Sequence, residues 1–349
     1  MKTEHLLIMR FSALGDVAML VPVVSSLARQ YPHLRITVLS RPFARPLFDG
    51  LAPNVGFMEA NLKGEYHGLK GLNALYRRLI AKNFTAIADM HNILRSSYLR
   101  MRFNLANYRV EHIDKHRQQR RRLVEHRDNK LQQLPTSFEN YCDVLARLGY
   151  PVELDFQSIF GNTGGNLRLV SDRIGEKKIF QQWIGIAPFA AHEGKVYPPE
   201  LMEQVLAEII RRHPSCRVFL FGGGEEEHRV LNAWVKRYKN CINASEVLGS
   251  LQQELIVMSH LDVMVSMDSA NMHLASIAGT RVVSVWGATH PCAGFMGWGQ
   301  STDDVVQVTM PCRPCSIYGN KPCQRGGYPC LTQISPADIV RKVELILNV

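Results

Sequence analysis

The chain has 349 residues, 46% of them hydrophobic and 21% charged, and a net charge of +10. That length accommodates two domains at roughly 100–200 residues each. No apolar run approaches the ~20 residues needed to span a bilayer. The opening MKTEHLLIMRFSALGD lacks the apolar region and cleavage site of a secretory signal. Low-complexity and bilayer-spanning classes are thereby excluded, and a cytoplasmic protein is expected.

In the first half, strands are predicted over 5–10, 35–39, 56–59 and 85–89, and helices over 16–30, 72–82, 93–103 and 138–148. Such alternation argues for a parallel sheet flanked by helices. The first strand runs into Arg10-Phe11-Ser12-Ala13-Leu14-Gly15-Asp16. This is not a dinucleotide fingerprint, because only Gly15 is present where three glycines are required. The junction does offer a carboxylate, Asp16, which capping of the helix explains equally well.

Residues 95–130 hold eleven Lys and Arg against four acids, so this window carries seven of the ten net positive charges. It reads either as a solvated surface or as a surface for a polyanion. Nucleic acid is not expected, because no aromatic stacking pattern is interleaved with the charges. An anionic membrane surface or glycolipid fits better. Residues 150–167, YPVELDFQSIFGNTGGNL, read as a boundary strand and linker. They divide the chain into domains at 1–165 and 166–349.

The second half repeats the pattern: strand 183–188, helix 199–212, strand 217–221, helix 225–238, strand 262–266, helix 269–278 and strand 282–286. A final amphipathic helix opens at Ser335-Pro336. Two such halves predict two facing doubly wound domains. Ligands then bind beyond the carboxyl ends of the strands, in the cleft between the domains. Lys195 lies in the loop after strand 183–188, and Gly222-Gly223-Gly224 closes strand 217–221. The helix opening at Asp268-Ser269 presents N–H groups and the positive end of its dipole, which suits a phosphate. Ala270 permits close approach to the backbone, and His273 lies one turn on. Ordinary N-capping accounts for Asp268 and Ser269 just as well.

Four of the eight cysteines cluster as C-x2-C-x7-C-x6-C: Cys312, Cys315, Cys323 and Cys330. In a cytosolic chain they favour metal over disulfide. The alternatives are a structural zinc and reduced thiols packing a loop.

Taken together, these motifs resemble the ADP-heptose:lipopolysaccharide heptosyltransferases, glycosyltransferase family 9. The residues that carry the resemblance are 10–16, Lys195 with Tyr197-Pro198, 268–275, and Trp286-Gly287-Ala288-Thr289-His290-Pro291. Their order and spacing match from residue 5 to about 345. The resemblance implies a GT-B fold, with an N-terminal acceptor-binding domain and a C-terminal nucleotide-sugar domain, and inverting transfer that requires no metal. Asp16 would be the general base. Lys195, Asp268, Ser269, Ala270, His273 and Glu226 would bind the donor, a nucleoside-diphosphate sugar. Ser12, Asn92, Arg95 and Arg120 would face the acceptor, an anionic lipopolysaccharide precursor at the inner face of the cytoplasmic membrane. Ala270 stands where the family more often has glycine, and Ala190-Ala191 stand where it has threonines, so reaction type is better specified than donor. Two rivals are a nucleoside-diphosphate-sugar epimerase of the same architecture and a non-enzymatic polyanion-binding protein.

Overall fold

A computed structural model describes residues 4–125 and 131–347. Two basic residues of the 95–130 window, Arg127 and Lys130, lie outside the described residues. The chain divides into two compact units, Met1–His116 with Pro135–Ile159, and Arg117–Leu134 with Phe160–Val349.

The first unit is a five-stranded sheet built from β1 (His5–Met9), β2 (Arg35–Ser40), β3 (Val55–Glu59), β4 (Ala86–Asp89) and β5 (Arg109–His112), in the order β3-β2-β1-β4-β5. Every pairing is parallel. β1 and β4 are buried on both faces, which is why they read as apolar runs broken only by His5 at the start of one and Asp89 at the end of the other. The second unit carries six parallel strands: β6 (Trp183–Ala187), β7 (Arg217–Leu220), β8 (Cys241–Asn243), β9 (Val263–Met267), β10 (Val282–Val285) and β11 (Val305–Val306). Their order is β11-β10-β9-β6-β7-β8. The fold class is the expected one, two doubly wound α/β units. The C-terminal helix Pro336–Leu347 packs on the helix Pro199–Arg212.

Strand order reverses between β1 and β4 in the first sheet and between β6 and β9 in the second. At such a switch point the loops leaving adjacent strands part to opposite faces and open a crevice. All the motif loops leave these strands or their neighbours.

Three local expectations differ from what forms. The helix expected at 16–30 is two helices, Leu14–Ala18 and Leu20–Gln30, joined at Met19. No strand forms over 150–167. There the backbone is satisfied by helix side chains instead, with Gln30, Tyr31 and Ser26 bonding the main chain of Glu153, Pro151 and Asp155. The basic window contains a helix, Arg117–Val124, which belongs to the second unit.

Candidate active site

In the first unit, Arg10 leaves the buried β1 with only 8% of its side chain exposed. Its Nη1 donates to the Met90 carbonyl oxygen beyond β4. Its Nη2 lies 2.7 Å from Asp16 Oδ2. That same carboxylate oxygen accepts the Ala13 N–H at 3.2 Å. The Arg10 guanidinium also stacks 5.7 Å from the Tyr141 ring centroid, and the Tyr141 hydroxyl donates to the Asp16 carbonyl at 3.1 Å. Asp16 is therefore held from three sides, yet 29% of its side chain remains open.

His91 completes this loop cluster. Its Nδ1 accepts the Phe11 N–H at 3.3 Å, which leaves Nε2 to donate to Ser12 Oγ at 3.3 Å. Burial, with Arg10 second, pushes the imidazole down to about 3. It is thus a neutral hydrogen-bonding group at physiological pH. Asn92 is committed inward: its Nδ2 donates to the Ile113 carbonyl and its Oδ1 accepts from Arg100. Buried Asp89 caps the same turn, accepting the His91 and Asn92 N–H groups, and pairs with Arg100 at 2.9 Å. Arg95 is exposed in the first turn of the helix Leu94–Leu105.

In the second unit, the loop after β6 forms a 3-10 turn, Glu193–Lys195. Lys195 Nζ lies 2.9 Å from Asp268 Oδ2. The Thr289 hydroxyl, leaving β10, donates to the same oxygen at 2.8 Å. Asp268 is 3% exposed, so the lysine is the accessible member, with 16% of its side chain open. Neither Asp268 nor Ser269 caps the helix Ala270–Ile277: Ser269 is the N-cap residue but makes no capping bond. Its hydroxyl is 3.4 Å from Ser266 Oγ. His273 is buried in the first turns of that helix. Lys195, Asp268 and Thr289 thus converge from three strand ends, with Ser269 and Ala270 beginning the adjacent helix.

Glu226 is 81% exposed and pairs with Arg229 within its own helix. Its neighbour Glu227 accepts the Gly223 N–H at 2.7 Å and so shapes the glycine turn. Arg120 stays within the second unit, donating to the Tyr318 hydroxyl at 2.9 Å and lying 4.9 Å from the Phe295 ring centroid. Beside it Leu123 packs with Cys292 and Ala293.

Among the described residues no three His, Cys, Asp or Glu side chains are disposed to hold a metal ion. Three of the cluster's thiols, Cys312, Cys315 and Cys330, together with Cys292, lie around a buried cation, Arg313. Burial pushes Cys330 up to about 11 and raises Cys315, which keeps both as neutral thiols.

The roles of Arg10, His91, Thr289 and Arg313 escape sequence reasoning. Arg10 and Thr289 stand in motif loops, but the partners that give them meaning are distant in sequence.

Similarity to known proteins agrees with this geometry. The model of glycosyltransferase family 9 (heptosyltransferase) matches residues 72–323. The lipopolysaccharide core heptosyltransferase OpsX of Haemophilus influenzae is 23% identical over 298 residues, covering 82% of this chain and 80% of that protein. Among solved structures, E. coli ADP-heptose lipopolysaccharide heptosyltransferase II superposes with a TM-score of 0.69 at 17% identity, covering 99% of this chain and 98% of that one. E. coli heptosyltransferase WaaC, solved with ADP, gives 0.67 at 16% identity, with coverage of 98% and 99%. These structural likenesses show a shared fold. The family match shows more: the chain is a glycosyltransferase and belongs to family 9, the heptosyltransferases.

Proposed function

We propose that this enzyme moves heptose from ADP-heptose to the inner core of lipopolysaccharide, with inversion at the anomeric carbon. The observation that carries this reading is that the first unit holds an accessible carboxylate, Asp16, and the second an accessible cation, Lys195, each braced within its own unit by a buried partner of opposite charge. Asp16 takes the proton from the acceptor hydroxyl as that oxygen attacks. Lys195 neutralises the departing diphosphate. The N–H groups opening the helix at Ala270 add the dipole's positive end, beside the Ser269 hydroxyl. A leaving diphosphate stabilised by these fixed groups requires no divalent metal. His273 lines the donor side, and Glu226 at the glycine turn reaches for the nucleoside. WaaC holding ADP supports adenine as the base.

On the acceptor side, Ser12 and Arg95 face the anionic saccharide, Asn92 shapes the turn that leads to Arg95, and the basic segment with Arg120 adds long-range attraction. Among the described residues no helix is long and apolar enough to cross a membrane. Peripheral contact with the inner membrane surface is supported by Leu94 and Leu69, 89% and 66% exposed, beside exposed Lys70 and Arg95. The decisive experiment is calorimetric titration with ADP, GDP and UDP, followed by turnover with purified ADP-heptose and a heptose-deficient core. Binding of ADP alone, with transfer, is the expected result. Preference for GDP or UDP would reassign the donor.

A further inference from the structure

The cysteine-rich loop has no part in the chemistry proposed above, yet it is tied to two of the three strand ends that make up the Lys195 site, those of β6 and β10. Arg313 is 5% exposed. It donates through Nε to the Gly287 carbonyl and through Nη2 to the carbonyls of Trp286 and Thr289. Within its own segment it reaches the Val308 carbonyl and Gln307 Oε1. The Cys315 N–H returns a bond to the Ala288 carbonyl at 3.1 Å, and the Ala288 N–H donates to Gly194 at 2.8 Å. A buried guanidinium spent on backbone carbonyls, where a point charge cannot fork, indicates that loop geometry is what it secures.

The loop also touches the lysine. Gly319 has φ +74°, and a Cβ placed there would lie 2.6 Å from Lys195 Cγ and 3.2 Å from Cδ. The aliphatic stem therefore lies in a groove that only a hydrogen at position 319 permits. Two other glycines of this loop, Gly326 and Gly327, also have positive φ, at +70° and +58°, but a Cβ at either would meet nothing within 4 Å. They carry the same backbone strain on substitution without the clash.

We propose that the cysteine-rich loop is the support of Lys195, with Gly319 and Arg313 as positioning residues. Gly319 seats the stem and Asp268 holds the ammonium. Arg313 locks the loop to the segment that presents Thr289, the other partner of Asp268. Fixing a flexible four-carbon chain before the diphosphate arrives is what allows its charge to act at the moment of bond breaking. The consequence for catalysis rests on Lys195 acting on the donor diphosphate; the seating itself does not.

The test compares Gly319→Ala with Gly326→Ala and Gly327→Ala, and Arg313→Lys with wild type, all in the full chain. The first readout, without ligand, is the rate at which an amine-reactive reagent labels Lys195, resolved by peptide mass spectrometry. Gly319→Ala and Arg313→Lys are expected to raise it several-fold, and the two control glycine variants to leave it within about twofold. Labelling in Gly319→Ala equal to wild type, or an equal rise in all three glycine variants, would overturn the proposal. If Gly319→Ala fails to fold, Arg313→Lys against the same controls decides. The second readout is ADP affinity by calorimetry, expected to fall about tenfold where labelling rises, since the diphosphate loses a well-placed charge-assisted hydrogen bond. Faster labelling with unchanged ADP affinity would uphold the seat and remove the donor role of Lys195.

Discussion

Each unit carries a cation–carboxylate pair beyond its central strands, and the two pairs are built in opposite senses. In the first, the arginine is buried and the carboxylate open, at 8% and 29% side-chain exposure. In the second, the carboxylate is buried and the lysine open, at 3% and 16%. Placing both members of an ion pair in a low-dielectric interior brings a large desolvation penalty, so one member of each stays near water. The open member is the one available to a substrate, and the buried member fixes its position. Under the proposed function, the same architecture would serve as a base in one unit and an electrophilic support in the other.

The largest expected effect comes from removing the open carboxylate. Asp16→Asn preserves shape and contacts but not basicity, and should lower kcat by roughly 10²- to 10⁴-fold with the donor KM nearly unchanged. Steady-state kinetics with purified donor and acceptor reads this, and turnover within a few-fold of wild type would remove Asp16 as the base. Next comes Lys195→Met, expected to lower kcat/KM by about 10²-fold. It should also destabilise the fold by on the order of 3 kcal/mol, because buried Asp268 loses its counter-ion. Adding Asp268→Asn should restore most of that stability in denaturant melts without restoring turnover. Recovery of both together would mean that the pair is purely structural.

A third effect depends on pH. The His91 imidazole titrates near 3 when folded, against 6.5 when exposed. The unfolded chain therefore binds more protons between those values, so stability is full above pH 6.5 and falls as the pH drops towards 3. His91→Asn should remove that contribution, on the order of 2 kcal/mol between pH 6.5 and 5, seen as a shallower fall of melting temperature with acid. An unchanged slope would place the acid sensitivity elsewhere. The smallest effect is expected from Glu226→Gln. This exposed pair with Arg229 should contribute under about 0.5 kcal/mol to stability, while ADP affinity falls two- to threefold if the carboxylate reaches the nucleoside. No change in affinity would withdraw that role.

The alternation of strands and helices is legible in the sequence because the central strands are predominantly apolar runs: HLLIM, WIGIA and VMVSM. The edge strands are not. RVEH, CIN and VV are short and half-buried, and carry too little hydrophobic signal to separate from loop. The helix RQQRRRLV is masked by its charge; its one buried residue, Leu123, is recruited by Cys292 and Ala293 far along the chain. The site shows the same limit. Local sequence leaves Asp268 undecided between a helix cap and a ligand group, and the structure gives it neither capping bond. Its partners, Lys195 and Thr289, come from other strand ends, and no local window contains all three. Arg313 has no pattern to mark it, because its partners are carbonyl oxygens.

The chain passes between the two units three times, at 116/117, 134/135 and 159/160. The second unit is therefore not a contiguous piece of sequence. A ribosome that has released residues 1–116 and 135–159 has made everything the first unit requires, while 117–134 waits for Cys292, Ala293 and Phe295 to emerge. Completion of the second unit is thus tied to a stretch synthesised more than 150 residues earlier, a long loop to close. A cut at 159/160 would give a fragment with its Cys292–Phe295 surface uncovered.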